Sequence, residues 1–159
     1  MTAMRENEDT MSTGLEIRYL WHDIDVYKLC VSASSGAFSG GTELYTSLGA
    51  LAEAASTLQG FPVDTSDIRK LQFGAFEREF AGFGVNLHFF CKDGAGHAVL
   101  EIRVESEDGC ETNSKWNRPE QSAHFFAGVE PSAIDDFVAE LRRLEAEKCG
   151  VASLRFVIF

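Results

Sequence analysis

The side chains of this 159-residue chain able to ligate a metal, attack a carbonyl or relay a proton are 4 His, 4 Cys and 25 Asp+Glu. Their spacing decides which chemistry is open. His22, His88, His97 and His124 form no HxH, HxxxH or HExxH pair, and Cys30, Cys91, Cys110 and Cys149 form no CxxC or CxxxC. Metal ligands usually come in such close pairs, so no metal site and no cofactor is expected from pattern. His88 and His124 lie mid-strand between apolar neighbours and read as half-buried, hydrogen-bonded imidazoles. His97 follows hairpin glycines, where a side-chain-to-backbone bond would fix the turn. Only convergence of His88, His97 and His124 in space would make a metal or catalytic site. Cys30 and Cys91 fall in apolar segments and read as small buried hydrophobes, where a thiolate is disfavoured. There is no GxSxG elbow, and Ser39, before Gly40 and Gly41, has no strand-to-helix turn to expose it. There is likewise no GxxxxGK[ST] loop and no GxGxxG leading from a strand into a helix. No catalytic residue is assigned, and the expectation is a protein that is not an enzyme.

Carboxylates carry the sharper signal. Asp23 and Asp25 fit a turn, and Asp135 and Asp136 sit near the positive end of an expected helix. Glu101, Glu105, Glu107, Asp108 and Glu111 lie within eleven residues, countered there only by Arg103. Lys115, Trp116 and Arg118 follow. A Trp beside charges is a common anchor at interfaces. The segment reads as a docking surface for a basic partner, with Glu101, Glu105, Glu107, Asp108, Glu111 and Trp116 as its contact residues. The plainer alternative is a solvated loop whose Trp folds onto its own domain.

The chain as a whole is acidic, with 14 Lys+Arg against 25 Asp+Glu and a net charge of −11. Such a surface repels phosphate backbones, so nucleic acid is not an expected partner. The polar N-terminus MTAMRENEDTMSTG has no apolar core of a secretory signal. No run approaches the roughly 18–20 apolar residues of a membrane span. The expectation is a cytoplasmic protein with free thiols and no membrane contact.

The elements that must position these groups follow from periodicity. Residues 1–14 have none and are expected to form a disordered tail, leaving 15–159 as a single domain. Leu15, Ile17 and Tyr19 alternate with polar residues, then Tyr27, Leu29 and Val31 alternate with Val26, Lys28 and Cys30, and a third strand is expected over 41–45. Leu48, Leu51, Ala52, Ala55 and Leu58 form a helical stripe. Thr46 or Ser47 would cap it, and Gly60-Phe61-Pro62 would end it. Leu71, Phe73 and Ala75 alternate again, and 76–83 suggests a twisted ribbon. Val85, Leu87, Phe89 and Cys91 pair as a hairpin with Ala98, Leu100, Ile102 and Val104, turning through 92–96. A flexible acidic loop is expected over 106–120, then a strand over 123–129. A helix follows from Pro131 to Gly150, with Ile134, Phe137, Val138, Leu141 and Leu144 as its stripe and Arg142, Arg143 and Lys148 near its negative end. A last strand ends the chain. The order βββ–α–ββββ–α–β predicts an α+β fold: a curved, mainly antiparallel sheet of about seven to eight strands with two helices packed on it.

Three stretches stand in this order: Phe38-Ser39-Gly40-Gly41-Thr42-Glu43-Leu44-Tyr45, Leu58-Gln59-Gly60-Phe61-Pro62 and Asp93-Gly94-Ala95-Gly96-His97. Together they resemble a group of small uncharacterised bacterial proteins that is similar to WapI-type immunity proteins of polymorphic toxin systems. The resemblance covers roughly 27–104. It implies a non-enzymatic binder that neutralises a partner protein, such as a basic toxin domain. The alternative function is small-ligand binding in a Phe-lined concavity of the sheet, suggested by 13 Phe. Homodimerisation through an exposed strand edge is compatible with both, and with a metal or catalytic site formed by His88, His97 or His124.

Overall fold

A computed structural model of the chain describes residues 13–74, 84–107 and 120–158. The elements run β1 (Gly14–His22), β2 (Val26–Ser34), β3 (Ser39–Ser47), α1 (Ala50–Leu58), β4 (Ile68–Gly74), β5 (Gly84–Cys91), β6 (Ala98–Glu107), β7 (Glu120–Val129), α2 (Pro131–Glu147) and β8 (Val151–Arg155). The order is the one that periodicity predicts. The strands do not form one curved sheet, however. They form two antiparallel sheets of four, ordered β3-β2-β1-β8 and β4-β5-β6-β7. The reason is the pair of helical connections. After β3 the chain leaves through α1 and the Gly60-Phe61-Pro62 turn, so β4 starts a second sheet. After β7, α2 carries the chain back, and β8 pairs with β1.

Each sheet buries one face. Leu15, Ile17 and Tyr19 of β1, Tyr27, Leu29 and Val31 of β2, and Leu44 of β3 share a core with Leu71, Phe73, Val85, Leu87, Phe89, Leu100, Ile102, Phe125 and Val129 of the second sheet. The β5–β6 register is the expected one, with Val85 opposite Val104, Leu87 opposite Ile102 and Phe89 opposite Leu100. The sheets approach closely at Gly40, where an added Cβ would lie 2.8 Å from the Ala123 Cβ. Only a residue without a side chain fits on that inward face.

Helix α1 buries Leu51, Ala54, Ala55 and Leu58. Leu48 lies before the helix and is exposed, and Ala54 takes the place on the stripe expected for Ala52. Neither Thr46 nor Ser47 caps α1. Its N-cap is Gly49 in the left-handed region, and the Leu51 N–H donates instead to Tyr27 Oη at 2.7 Å. At the other end Gly60 is left-handed, as expected, and Arg69 Nη1 donates to the Thr57 carbonyl at 2.7 Å and the Gln59 carbonyl at 3.3 Å. Arg69 is itself held by Asp67, at 2.7 Å from Nε and 2.8 Å from Nη2.

Helix α2 starts at Pro131 and buries all five expected stripe residues, Ile134, Phe137, Val138, Leu141 and Leu144. Its last turn carries no basic residue. Arg142 donates to Gln59 Oε1 and Arg143 to the Val151 carbonyl, so these guanidinium groups tie α2 to its neighbours rather than cap its own end. Lys148 takes the left-handed conformation at the helix end, and Gly150 follows with positive φ. Among the described residues no helix is long and apolar enough to cross a membrane.

Candidate functional site

Strand alternation decides what each sheet shows to solvent. On β6 the inward residues are Ala98, Leu100, Ile102 and Val104, so Val99, Glu101, Arg103 and Glu105 face outward. Glu101 lies directly opposite His88 of β5, and Arg103 opposite His124 of β7. The Glu101 carboxylate therefore sits between two imidazoles. Oε1 is 3.3 Å from His88 Nδ1, and Oε2 is 3.6 Å from His124 Nε2. Glu105 is paired with Arg103 two residues before it. Glu101 and Glu105 are thus on the outer face, but each already faces a cation-forming partner, which reduces the free negative charge of this strand.

The other expected contact residues are placed less fully. Glu107 ends β6, while Asp108, Glu111 and Trp116 lie outside the described residues, as do Ala75, the 76–83 ribbon and Cys110. The segment expected as a loop over 106–120 is entered by strand at both ends, because β6 runs through Glu107 and β7 begins at Glu120. Likewise β1 begins at Gly14.

Two of the three histidines singled out come together, across three strands. His97 pairs with Asp93 at the hairpin, Nδ1 to Oδ2 at 2.8 Å, a bond to a side chain within the turn. The His97 ring holds the Asp93 carboxyl below the usual carboxylate range, helped by the Ala95 N–H. Among the described residues no group of three His, Cys, Asp or Glu side chains is arranged to hold a metal ion. Cys30 and Cys91 are half-buried rather than buried, Cys30 on the outer face of β2 and Cys91 at the end of β5, and burial raises both thiols. Cys149 is exposed.

The outer face of the β3-β2-β1-β8 sheet carries a feature that pattern reading missed. Strict alternation would place Trp21 on the buried face with Tyr19. The β1–β2 register shifts between these two residues, pairing Tyr19 with Leu29 but Trp21 with Lys28. Such a bulge turns the following side chains over. Trp21 then faces solvent in one row with Lys28 and Tyr45. The Trp21 and Tyr45 rings meet edge to face at 5.6 Å, and they are 43% and 52% exposed. Lys28 Nζ lies 5.5 Å from the Tyr45 centroid and 3.0 Å from Glu43 Oε2. Ile24 and Leu48, both exposed, adjoin the same end of the sheet. The available signal was the Tyr19-Leu20-Trp21 run, which breaks the preceding alternation.

Most of the described Phe side chains are core, including Phe61, Phe73, Phe89, Phe125 and Phe137. A cavity of about 470 Å³ nevertheless opens at the β7 edge, walled by Phe126 and Phe156 with Val99 and Ile158. The Val157 N–H donates to the Gly128 carbonyl at 2.8 Å and so pins the segment after β8 beside β7. No family model, curated protein or solved structure matches the chain.

Proposed function

We propose that this chain is a non-enzymatic domain that works by binding another protein. The observation that supports the reading is the Trp21–Lys28–Tyr45 corner with Ile24 and Leu48 beside it. Exposed large apolar side chains at one end of a sheet commonly mark an interaction surface, and Trp and Tyr are the side chains richest in binding energy at such surfaces. The two rings are already locked against each other and against Lys28, so little side-chain entropy is lost when a partner covers them.

The proposed partner is a basic protein. The net charge of −11 attracts it at long range, which raises the association rate. The resemblance to WapI-type immunity proteins makes a toxin domain the expected class. In this reading the acidic strand and segment, with Glu101, Glu105, Glu107, Asp108, Glu111 and Trp116, form a second contact region.

Affinity capture with three baits tests the proposal: the natural chain, W21A/Y45A, and E101K/E105K. The expected result is a partner held by the natural chain, weakened at least ~30-fold by W21A/Y45A, and released near 1 M salt, where the screening length is about 3 Å. If W21A/Y45A retains every partner that the natural chain retains, the aromatic corner is not the anchor and the reading fails. Loss on E101K/E105K assigns the second region, and unchanged capture removes it.

A further inference from the structure

Beyond the Trp21–Tyr45 corner, we infer that the outer edge of β7 is an interface between two copies of this chain, paired antiparallel so that their β4-β5-β6-β7 sheets become one. The two sheets end in four edge strands, β3, β8, β4 and β7. An edge strand offers its N–H and C=O groups to any other strand, and natural chains guard it with charge, proline, a bulge or a cover. On β8 the Val151 carbonyl accepts Arg143 and the Ser153 N–H donates to Glu140 at 2.6 Å, so α2 covers that edge. β4 carries Arg69 and Lys70, and β3 carries Glu43. β7 has none of these guards. From Gln121 to Val129 it holds no charged residue and no proline, and its register with β6 runs without a shift.

Backbone parity fixes which groups are open. The Val157 N–H donates to the Gly128 carbonyl, so the polar groups of Gly128 point away from β6. These directions alternate along an antiparallel strand, so the groups of Phe126, His124 and Ser122 point the same way. Among the described residues none of the three has a backbone partner on that side. Val157 closes the edge at Gly128, which leaves 120–126 open. That stretch pairs with itself about a two-fold axis at Ala123, a closed contact of one patch with its own copy. Ser122 then lies opposite His124 of the second copy, and the two Ala123 residues meet at a Cα spacing of about 4.5 Å, which small side chains suit. Charge selects the occupant. A chain of net charge −11 repels its own kind wherever acidic groups face each other, and the 121–129 stretch brings none together. Phe126 and Ile158, both exposed, stand beside this edge and add apolar area for the second copy to cover. The edge shares no residue with the Trp21–Tyr45 corner, so the two proposals fail separately.

Sedimentation velocity of the full chain from about 1 μM to 1 mM, the range in which small interfaces associate, tests the assignment. The mass is expected to double as concentration rises. Added salt should tighten the dimer, because it screens the repulsion between two acidic chains, the reverse of the salt release expected for a basic partner. S122P removes an N–H that points away from β6, so the β6–β7 ladder stays whole while the chain should remain monomeric throughout. If S122P does not fold, hydrogen exchange of the natural chain decides. The amides of Ser122, His124 and Phe126 should slow with concentration, while those of Ala123 and Phe125, which point toward β6, should not. A monomer at every concentration, a dimer that salt loosens or that S122P leaves intact, or concentration-dependent protection confined to other strands would overturn the inference.

Discussion

Replacing Tyr27 by Phe removes one oxygen from the centre of the molecule. The ring is fully buried on the inner face of β2, with its centroid 5.3 Å from that of Tyr19, and it can stay where it is. Lost is the acceptor for the Leu51 N–H at 2.7 Å. That N–H is one of the first four of α1, which have no partner within the helix. Gly49 offers no side chain to replace it. Burial holds the Tyr27 phenol well above its ordinary pKa, so the group stays neutral across the working range and the bond is present throughout. Leaving a buried donor unsatisfied costs about 1–3 kcal/mol, and loss of an N-cap about 0.5–2 kcal/mol. A value near 2 kcal/mol, with a urea m-value of about 2 kcal/mol/M, lowers the unfolding midpoint by about 1 M. The same loss lowers Tm by about 4–8 °C for a domain of this size. Urea melts of Y27F measure it, with Y45F on the exposed corner as control, expected within about 0.5 kcal/mol of the natural chain. Hydrogen exchange at Leu51 should quicken more than in the β5–β6 hairpin. A Y27F melt indistinguishable from that of Y45F would refute the claim that a strand side chain caps α1.

Two further outcomes follow from close packing and from charge. G40A should cost about 1–3 kcal/mol by overpacking the point where the sheets meet, and A123G should recover part of that loss. A double-mutant cycle with coupling below about 0.5 kcal/mol would show that the two positions do not touch. Arg69 lowers the Asp67 carboxyl pKa, joined by the Val63 N–H. A depressed carboxylate adds stability above its ordinary value near 3.9, and that stability is lost as pH falls through the lower folded value. D67N should therefore be less stable than the natural chain at pH 7 and lose less on acidification below about pH 4. Parallel pH profiles of the two midpoints would sink that account.

How much of the site was legible in the sequence differs residue by residue. Alternation alone puts Glu101 and Glu105 on the outer face of their strand, because a period of two leaves no other choice once Leu100, Ile102 and Val104 are inside. That Glu101 meets His88 and His124 could not be read, since it depends on which strands lie to each side. The Trp21 corner was hidden for a different reason. A one-residue bulge reverses every later side chain, and its position is set by pairing with β2 rather than by β1 itself. The cap on α1 comes from Tyr27, 24 residues away, so no search of the residues beside the helix would find it.

Local pattern determined the number and order of the elements, the five-residue stripe of α2, the Gly60 stop of α1 and the β5–β6 register, because each follows from repeat length and turn chemistry within a short stretch. Tertiary structure alone decided that the eight strands divide into two sheets, that Gly40 must be bare, and that Val157 closes a cavity beside Gly128. Those outcomes depend on contacts between residues far apart in the chain, where burial of apolar faces chooses the partner and the sequence of any one element carries no record of it.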